Sequence, residues 1–197
     1  MPNRAPLILA SSSPRRLALL RQVGVNPERI EVPEIDETPL TRELPRAYVL
    51  RIAEAKAHDI AGRPDMAGAY VLAADTVVAC GRRILGKAHD LAAAERCLRL
   101  LSGRRHRVYT GVALIAPDGR RAARVIMTMV AFKRLSEPEI AAYLASGEWQ
   151  GKAGGYAIQG RAEAFVPSIN GSWSNVVGLP LATTLDLLRG LGWRPEP

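Results

Sequence analysis

Three short stretches of this 197-residue chain carry side chains able to do chemistry together. In AYVLAADTVVAC (69–80) an apolar run is broken only by Asp75 and Thr76. An ionised carboxylate in such a run is costly unless it is paired or bound to a metal. Asp75 is therefore either satisfied by backbone or an arginine, or it faces a cleft. ASSSPRRLALL (10–20) follows the apolar LIL. Pro14 suits a first helical position, which makes Ser13 the expected N-cap. Ser11 and Ser12 then face helix N–H groups that favour an anion. Arg15 and Arg16 fall in the first turn, where positive charge is unfavourable for the helix itself. A phosphate held by hydroxyls, dipole and guanidinium explains that choice; a plain cap with solvated arginines is the simpler alternative. In IDET (35–38), Asp36 and Glu37 are loop carboxylates, which by themselves can be merely solvated.

Lysine usage adds a second signal. The basic residues number 27, of which 23 are Arg, leaving 4 Lys. In a chain that writes its cations as Arg, Lys56 and Lys87 stand out, because ammonium and guanidinium meet phosphate differently. GRRILGKA (81–88) imitates a P-loop, but the residue after the lysine is Ala88, with no hydroxyl for a metal, and Ile84–Leu85 read as strand. His58, His89 and His106 lack partners at ligand or triad spacing, and G-x-S-x-G is absent.

The elements that must position these groups follow from periodicity and punctuation. LILA (7–10) reads as a buried strand, 14–24 as a helix stopped by Gly24, and 32–45 as an acidic loop. A helix is expected over 45–62, with Tyr48, Ile52 and Ala55 on its apolar face. The run 69–80 is β-branched and strand-like. A helix over 91–103 has Asp90 as N-cap, and 106–135 reads as two strands joined by a PDGR turn. Ser136 and Glu139 form a capping box, 147–160 is a Gly-rich loop, SINGS suggests a hairpin, and a closing helix begins near Pro180. Parallel and hairpin connections together imply an α/β fold on a mixed sheet, in one domain spanning 1–197.

Composition excludes several classes. No apolar stretch approaches the roughly 18 residues of a membrane span. MPNRAPLILASSS lacks a secretory apolar core of about 7–15 residues, so a cytoplasmic location is expected. Cys80 and Cys97 have neither metal-ligand nor C-x-x-C spacing and read as free thiols. The net charge of +8 is spread along the chain, with few aromatics and no nucleic-acid motif. A small polyanion suits it better than nucleic acid.

Taken in order, LILASSSPRR, IDE, AEAKA, AADTVV, ILGK, LSGRRHRVYTGVAL, KAGGYAIQG and INGSWSNVVGLPL resemble the Maf family of nucleotide pyrophosphatases over nearly the whole chain. The resemblance implies an elongated mixed β-sheet flanked by helices, two lobes with a central cleft, and a homodimer. It implies hydrolysis of nucleoside triphosphates to monophosphate and pyrophosphate with a divalent cation, Mg or Mn. Asp75 corresponds to the catalytic aspartate; Arg15, Thr76 and Gln159 to residues of substrate choice; Ser11, Glu37, Lys56 and Lys87 to further polar positions, of which Ser11, Lys56 and Lys87 are expected to bind the substrate with them. Glu37 and Asp75 are the expected metal ligands, with Asp75 acting as base or mainly as ligand. YAIQG is similar to the branch that takes dTTP and UTP rather than 7-methyl-GTP. The Gln159 amide offers a donor and an acceptor to the edge that uracil and thymine share, and Gly154 and Gly155 are expected to let backbone approach the base. After ILGK the family commonly has proline, where this chain has Ala88 and His89. A nucleotide-binding or nucleic-acid-binding regulator of cell division or septum formation, without turnover, is the competing reading.

Overall fold

A computed structural model describes residues 5–194. Along the chain lie β1 (Leu7–Ala10), α1 (Pro14–Gln22), β2 (Arg29–Glu31), α2 (Pro45–Ala61), β3 (Tyr70–Cys80), β4 (Arg83–Leu85) and α3 (Leu91–Leu101). They are followed by β5 (Arg105–Ile115), β6 (Arg121–Ala131), α4 (Glu137–Ala145), β7 (Ser168–Asn170), α5 (Trp173–Val177) and α6 (Leu181–Gly190). The seven strands form one sheet in the order β2-β1-β3-β5-β6-β7, with β4 paired to β3. β1 runs parallel to β2 and β3, whereas β4 on β3 and β7 on β6 are antiparallel. The fold is thus α/β on a mixed sheet, as the sequence suggests. Among the described residues no helix is long and apolar enough to cross a membrane.

Contacts divide the chain into two compact units. One comprises Met1–Asp75, Thr110–Ile126 and Gly178–Pro197; the other comprises Thr76–Tyr109 and Met127–Val177. In the first, Ile8 and Ala10 of β1, Val71 and Ala73 of β3, and Ala113 of β5 pack against Ala53, Ala57 and Ile60 of α2. These alternate strand positions and the helical stripe each present one apolar face, which is why the two layers meet. Gly111 of β5 brings the strand unusually near the helix: a Cβ there would lie 2.6 Å from the Val49 carbonyl carbon. The second unit is built around edge-to-face contacts among His106, Phe132, Tyr143, Tyr156 and Phe165.

Caps behave largely as read. The Asp90 side chain accepts from the Ala93 N–H, and Ser136 with Glu139 closes a reciprocal capping box. Gly24 follows α1 with φ +73°, a conformation glycine adopts readily. Two expectations are corrected. Ser13 occupies the N-cap position of α1, but its hydroxyl makes no capping bond. SINGS does not form a hairpin: Ser168–Asn170 pairs with β6 instead, and the chain then enters α5. A Cβ on Gly171, at φ +127°, would press on Thr128 of β6, so glycine is required where the chain turns away from that strand.

Candidate functional site

The first unit gathers five of the residues that the sequence marks: Ser11, Arg15, Glu37, Lys56 and Asp75. Ser11 opens the β1–α1 connection and is buried. Its Oγ accepts from the Ser13 N–H at 3.2 Å and from an Arg16 guanidinium N–H at 3.0 Å. Arg16 also donates from Nε to the Gly178 carbonyl at 2.9 Å. Arg16 is therefore a brace, not a solvated charge, and it feels both Asp75 and Glu37 electrostatically. Arg15, in the same first turn, differs. Its Nε is buried with no hydrogen-bond partner, and burial pulls its guanidinium below the usual arginine range. A buried donor left unmet is costly, so it calls for an acceptor such as a phosphate oxygen.

Lys56 is the centre of the cluster. It comes from α2 and is only 7% exposed. Its Nζ lies 2.7 Å from Asp75 Oδ1 on β3 and 2.8 Å from Glu37 Oε1 on the loop between β2 and α2. Asp75 is 5% exposed, which resolves the cost of placing a carboxylate in an apolar strand: an ammonium is buried with it. One ammonium thus draws two carboxylates to a common point, and a carboxylate can accept on both of its oxygens. That donor set suits a small hard cation, which takes one or two carboxylates and fills its remaining positions with water and phosphate oxygens. Among the described residues no group of three or more His, Cys, Asp or Glu forms a cage that would hold a metal by protein ligands alone.

Two further residues of this unit escape sequence reasoning. The Arg16 brace depends on Gly178, 162 positions away. Tyr48 reads from the sequence as one more apolar position on its helix. Its ring is buried, but its hydroxyl donates to the Glu37 carbonyl at 2.8 Å. Burial, with the nearby Asp75 and Glu37 charges, pushes the phenol well above its ordinary range, so it remains a donor.

Thr76, Lys87 and Gln159 belong to the second unit. Thr76 is half-buried on β3, one residue past Asp75 and on the opposite face of the strand. Lys87 is exposed just after β4 and bridges to Ala153 of the Gly-rich loop. Gly154 N–H donates to Gly86 O and Ala88 N–H to Lys152 O, so Lys87 and the Gly-rich loop are tied together. The Ala88 bond needs an N–H that a proline lacks. Gln159 lies at an exposed turn in the same segment. Gly154 and Gly155 are closely packed: a Cβ would lie 2.9 Å from Val78 Cβ in one case and 3.2 Å from Ala94 Cα in the other. Tyr156 and Trp149 are buried, bonded to His106 Nε2 and to the Leu144 carbonyl.

The family model described as Maf-like protein matches residues 6–191. A dTTP/UTP pyrophosphatase of Paramagnetospirillum magneticum is 61% identical over 191 residues, covering 97% of this chain and 100% of its own. One from Caulobacter vibrioides is 60% identical over 189 residues, 96% of this chain and 97% of its own. Among solved structures, a dITP/XTP pyrophosphatase from Mycobacterium abscessus aligns with TM-score 0.42 and 22% identity, over 66% of this chain and 75% of that one.

Proposed function

The chain belongs to the Maf-like protein family, and from that premise we infer that it is a nucleoside triphosphate pyrophosphatase acting on dTTP and UTP. The products are the nucleoside monophosphate and pyrophosphate. The observation that carries the reading is the Glu37–Lys56–Asp75 bridge in the same unit as the unmet Arg15 donor. Hard anionic oxygens and a guanidinium lacking an acceptor together suit a metal-bound polyphosphate.

In this reading Arg15 and the N–H groups at the start of α1 bind phosphate oxygens. Ser11 and Arg16 hold that turn in shape. Glu37 and Asp75 hold the divalent cation, which when bound offsets phosphate charge and polarises phosphoryl oxygens. Lys56 keeps both carboxylates aimed at one point. Asp75 orients a water and takes its proton as the oxygen bonds to the α-phosphorus. The bond from that phosphorus to the bridging oxygen breaks, and pyrophosphate leaves. Thr76, Lys87 and Gln159 are assigned to substrate binding on the family resemblance, with Gln159 reading the edge common to uracil and thymine. Because the family match covers residues of both units, we treat 1–197 as one catalytic domain. The free thiols of Cys80 and Cys97 suit a cytoplasmic enzyme, and a homodimer is its proposed working form.

A panel of nucleoside triphosphates assayed with Mg²⁺ and with Mn²⁺ tests this directly. The expected result is pyrophosphate with dTMP or UMP, turnover reduced more than about tenfold by Asp75→Asn, and pyrimidine preference flattened by Gln159→Ala. Tight binding without turnover, or release of orthophosphate, refutes it.

A further inference from the structure

The loop carrying Glu37 has no helix or strand of its own over 32–44, yet Glu37 must hold one position against Asp75. Its carboxylate is drawn in by Lys56, but its side chain is still 38% exposed, so that ion pair alone is a weak restraint. The backbone is held separately. Tyr48 donates its hydroxyl to the carbonyl oxygen of Glu37 itself. Arg51, one turn further along α2, donates to the Thr38 carbonyl at 3.2 Å. The same guanidinium grips Glu43 with two bonds of 2.7 Å, Nε to Oε1 and a terminal nitrogen to Oε2. Glu43 Oε2 in turn accepts from the Leu40 N–H, and the Glu43 N–H donates to the Leu40 carbonyl. Within this turn Arg42 sits at φ +59°, a left-handed conformation that a non-glycine residue keeps only when its surroundings impose it.

We propose that Tyr48, with the Arg51–Glu43 pair, is a positioning device that fixes the Glu37 carboxylate for the cation and substrate. The proposal rests on the reading of Glu37 as part of that site. Two turns of α2, about 12 Å along its axis, separate Tyr48 from Lys56. One rigid helix therefore holds the Glu37 backbone at one end and its side chain at the other. The Arg51 guanidinium lies over the Tyr48 ring, 5.6 Å from its centroid, and helps fix the direction of the phenol. A bidentate arginine on a carboxylate is the geometry that best resists rotation. Tyr48 and Arg51 touch neither substrate nor metal; they act through Glu37.

The test uses the full chain and the variants Tyr48→Phe, Arg51→Lys, Glu37→Gln and the double variant Tyr48→Phe/Glu37→Gln. Tyr48→Phe removes one hydrogen bond and keeps the ring. The expected result is about a fivefold rise in the Mn²⁺ concentration giving half-maximal turnover, the factor equivalent to one net hydrogen bond. KM for dTTP at saturating Mn²⁺ should stay within about twofold. Direct Mn²⁺ binding to the substrate-free protein should weaken by the same factor. Hydrogen exchange should quicken in peptides spanning 36–43 and nowhere else. Arg51→Lys, which keeps the charge and loses the fork, should show the same pattern. In the Glu37→Gln background Tyr48→Phe should weaken Mn²⁺ binding no further, whereas a merely structural tyrosine would add its effect. Unchanged Mn²⁺ binding in Tyr48→Phe beside a clear loss in Glu37→Gln overturns the positioning role and leaves the site intact. An unaffected Glu37→Gln protein overturns the site reading, and this proposal with it.

Discussion

Replacing Lys56 with Met removes an ammonium while keeping an unbranched apolar stem in the same space. The two carboxylates it served then lose the ammonium that bridges them and keep only the field of the Arg16 guanidinium. Glu37 is more than a third exposed and can turn to water, so its half of the bridge is worth less than about 1 kcal/mol. Asp75 has no such escape, since its side chain is 8% exposed on a central strand. Orphaning one member of a buried pair costs about 3–5 kcal/mol, and the lower end applies where some water reaches the partner. The expected loss is therefore about 3 kcal/mol, or a fall in Tm of about 10 °C for a chain of this size. Urea unfolding in EDTA, followed by tryptophan emission, measures it. The decisive comparison adds Asp75→Asn. In the natural chain that change breaks the pair and destabilises; in the Lys56→Met background it removes the orphan charge and restores about 2 kcal/mol. A loss below about 1 kcal/mol in Lys56→Met, or the same sign for Asp75→Asn in both backgrounds, would show that the bridge is not what allows a carboxylate in β3.

Gly111→Ala forces a Cβ against the Val49 backbone of α2, which cannot yield as a side chain can; a loss of about 3 kcal/mol in urea unfolding is expected, with weaker activity as α2 lifts Lys56 from Asp75. His106, buried against Tyr156, is pushed down to about 4 by burial, so the folded protein keeps it neutral where the unfolded chain takes a proton. Stability contributed by His106 is thus complete above the unfolded value near 6.5 and falls by about 3 kcal/mol as pH drops to about 4, then levels. Unfolding curves of His106→Gln measured across that range should lack this component; parallel pH profiles would refute it. Chelation should stop turnover while the far-UV circular dichroism spectrum stays unchanged, because Lys56 already offsets both carboxylates in the free protein.

Local signals carry most of the fold. Asp90 and the Ser136–Glu139 pair announce helix starts because a cap is decided by residues three apart. The long strands β3, β5 and β6 are legible because eleven residues leave room for a sustained apolar and β-branched signal. β2 and β7 are three residues each, too short for periodicity, and they exist because β1 and β6 offer ladder partners. The SINGS misreading has the same origin. Its turn chemistry is genuine, and Gly171 does adopt positive φ, but the partner of Ser168–Asn170 is a strand some forty residues earlier. A local hairpin and a distant pairing use the same residues, and only the sheet decides between them.

The site divides along the same line. Residue types point to Asp75, Lys56 and Arg15 because each breaks a local rule: a charge in an apolar run, a lysine among arginines, a cation at a helix start. What they do to one another is not legible. Lys56 stands nineteen residues from Glu37 and nineteen from Asp75, with a helix segment, a loop and a strand between, and no periodicity joins those positions. Arg15 and Arg16 are indistinguishable in sequence, yet one is spent bracing Ser11 and Gly178 while the other keeps a buried donor without an acceptor. That asymmetry says more about function than either residue's identity, because a fold that satisfies one arginine fully has the means to satisfy its neighbour. Leaving Arg15 Nε unmet is intelligible if its acceptor arrives with a ligand. Adding pyrophosphate to the free protein should then raise the Tm, and Arg15→Ala should abolish that rise while leaving the ligand-free Tm nearly unchanged, since no bond within the protein is lost at Nε.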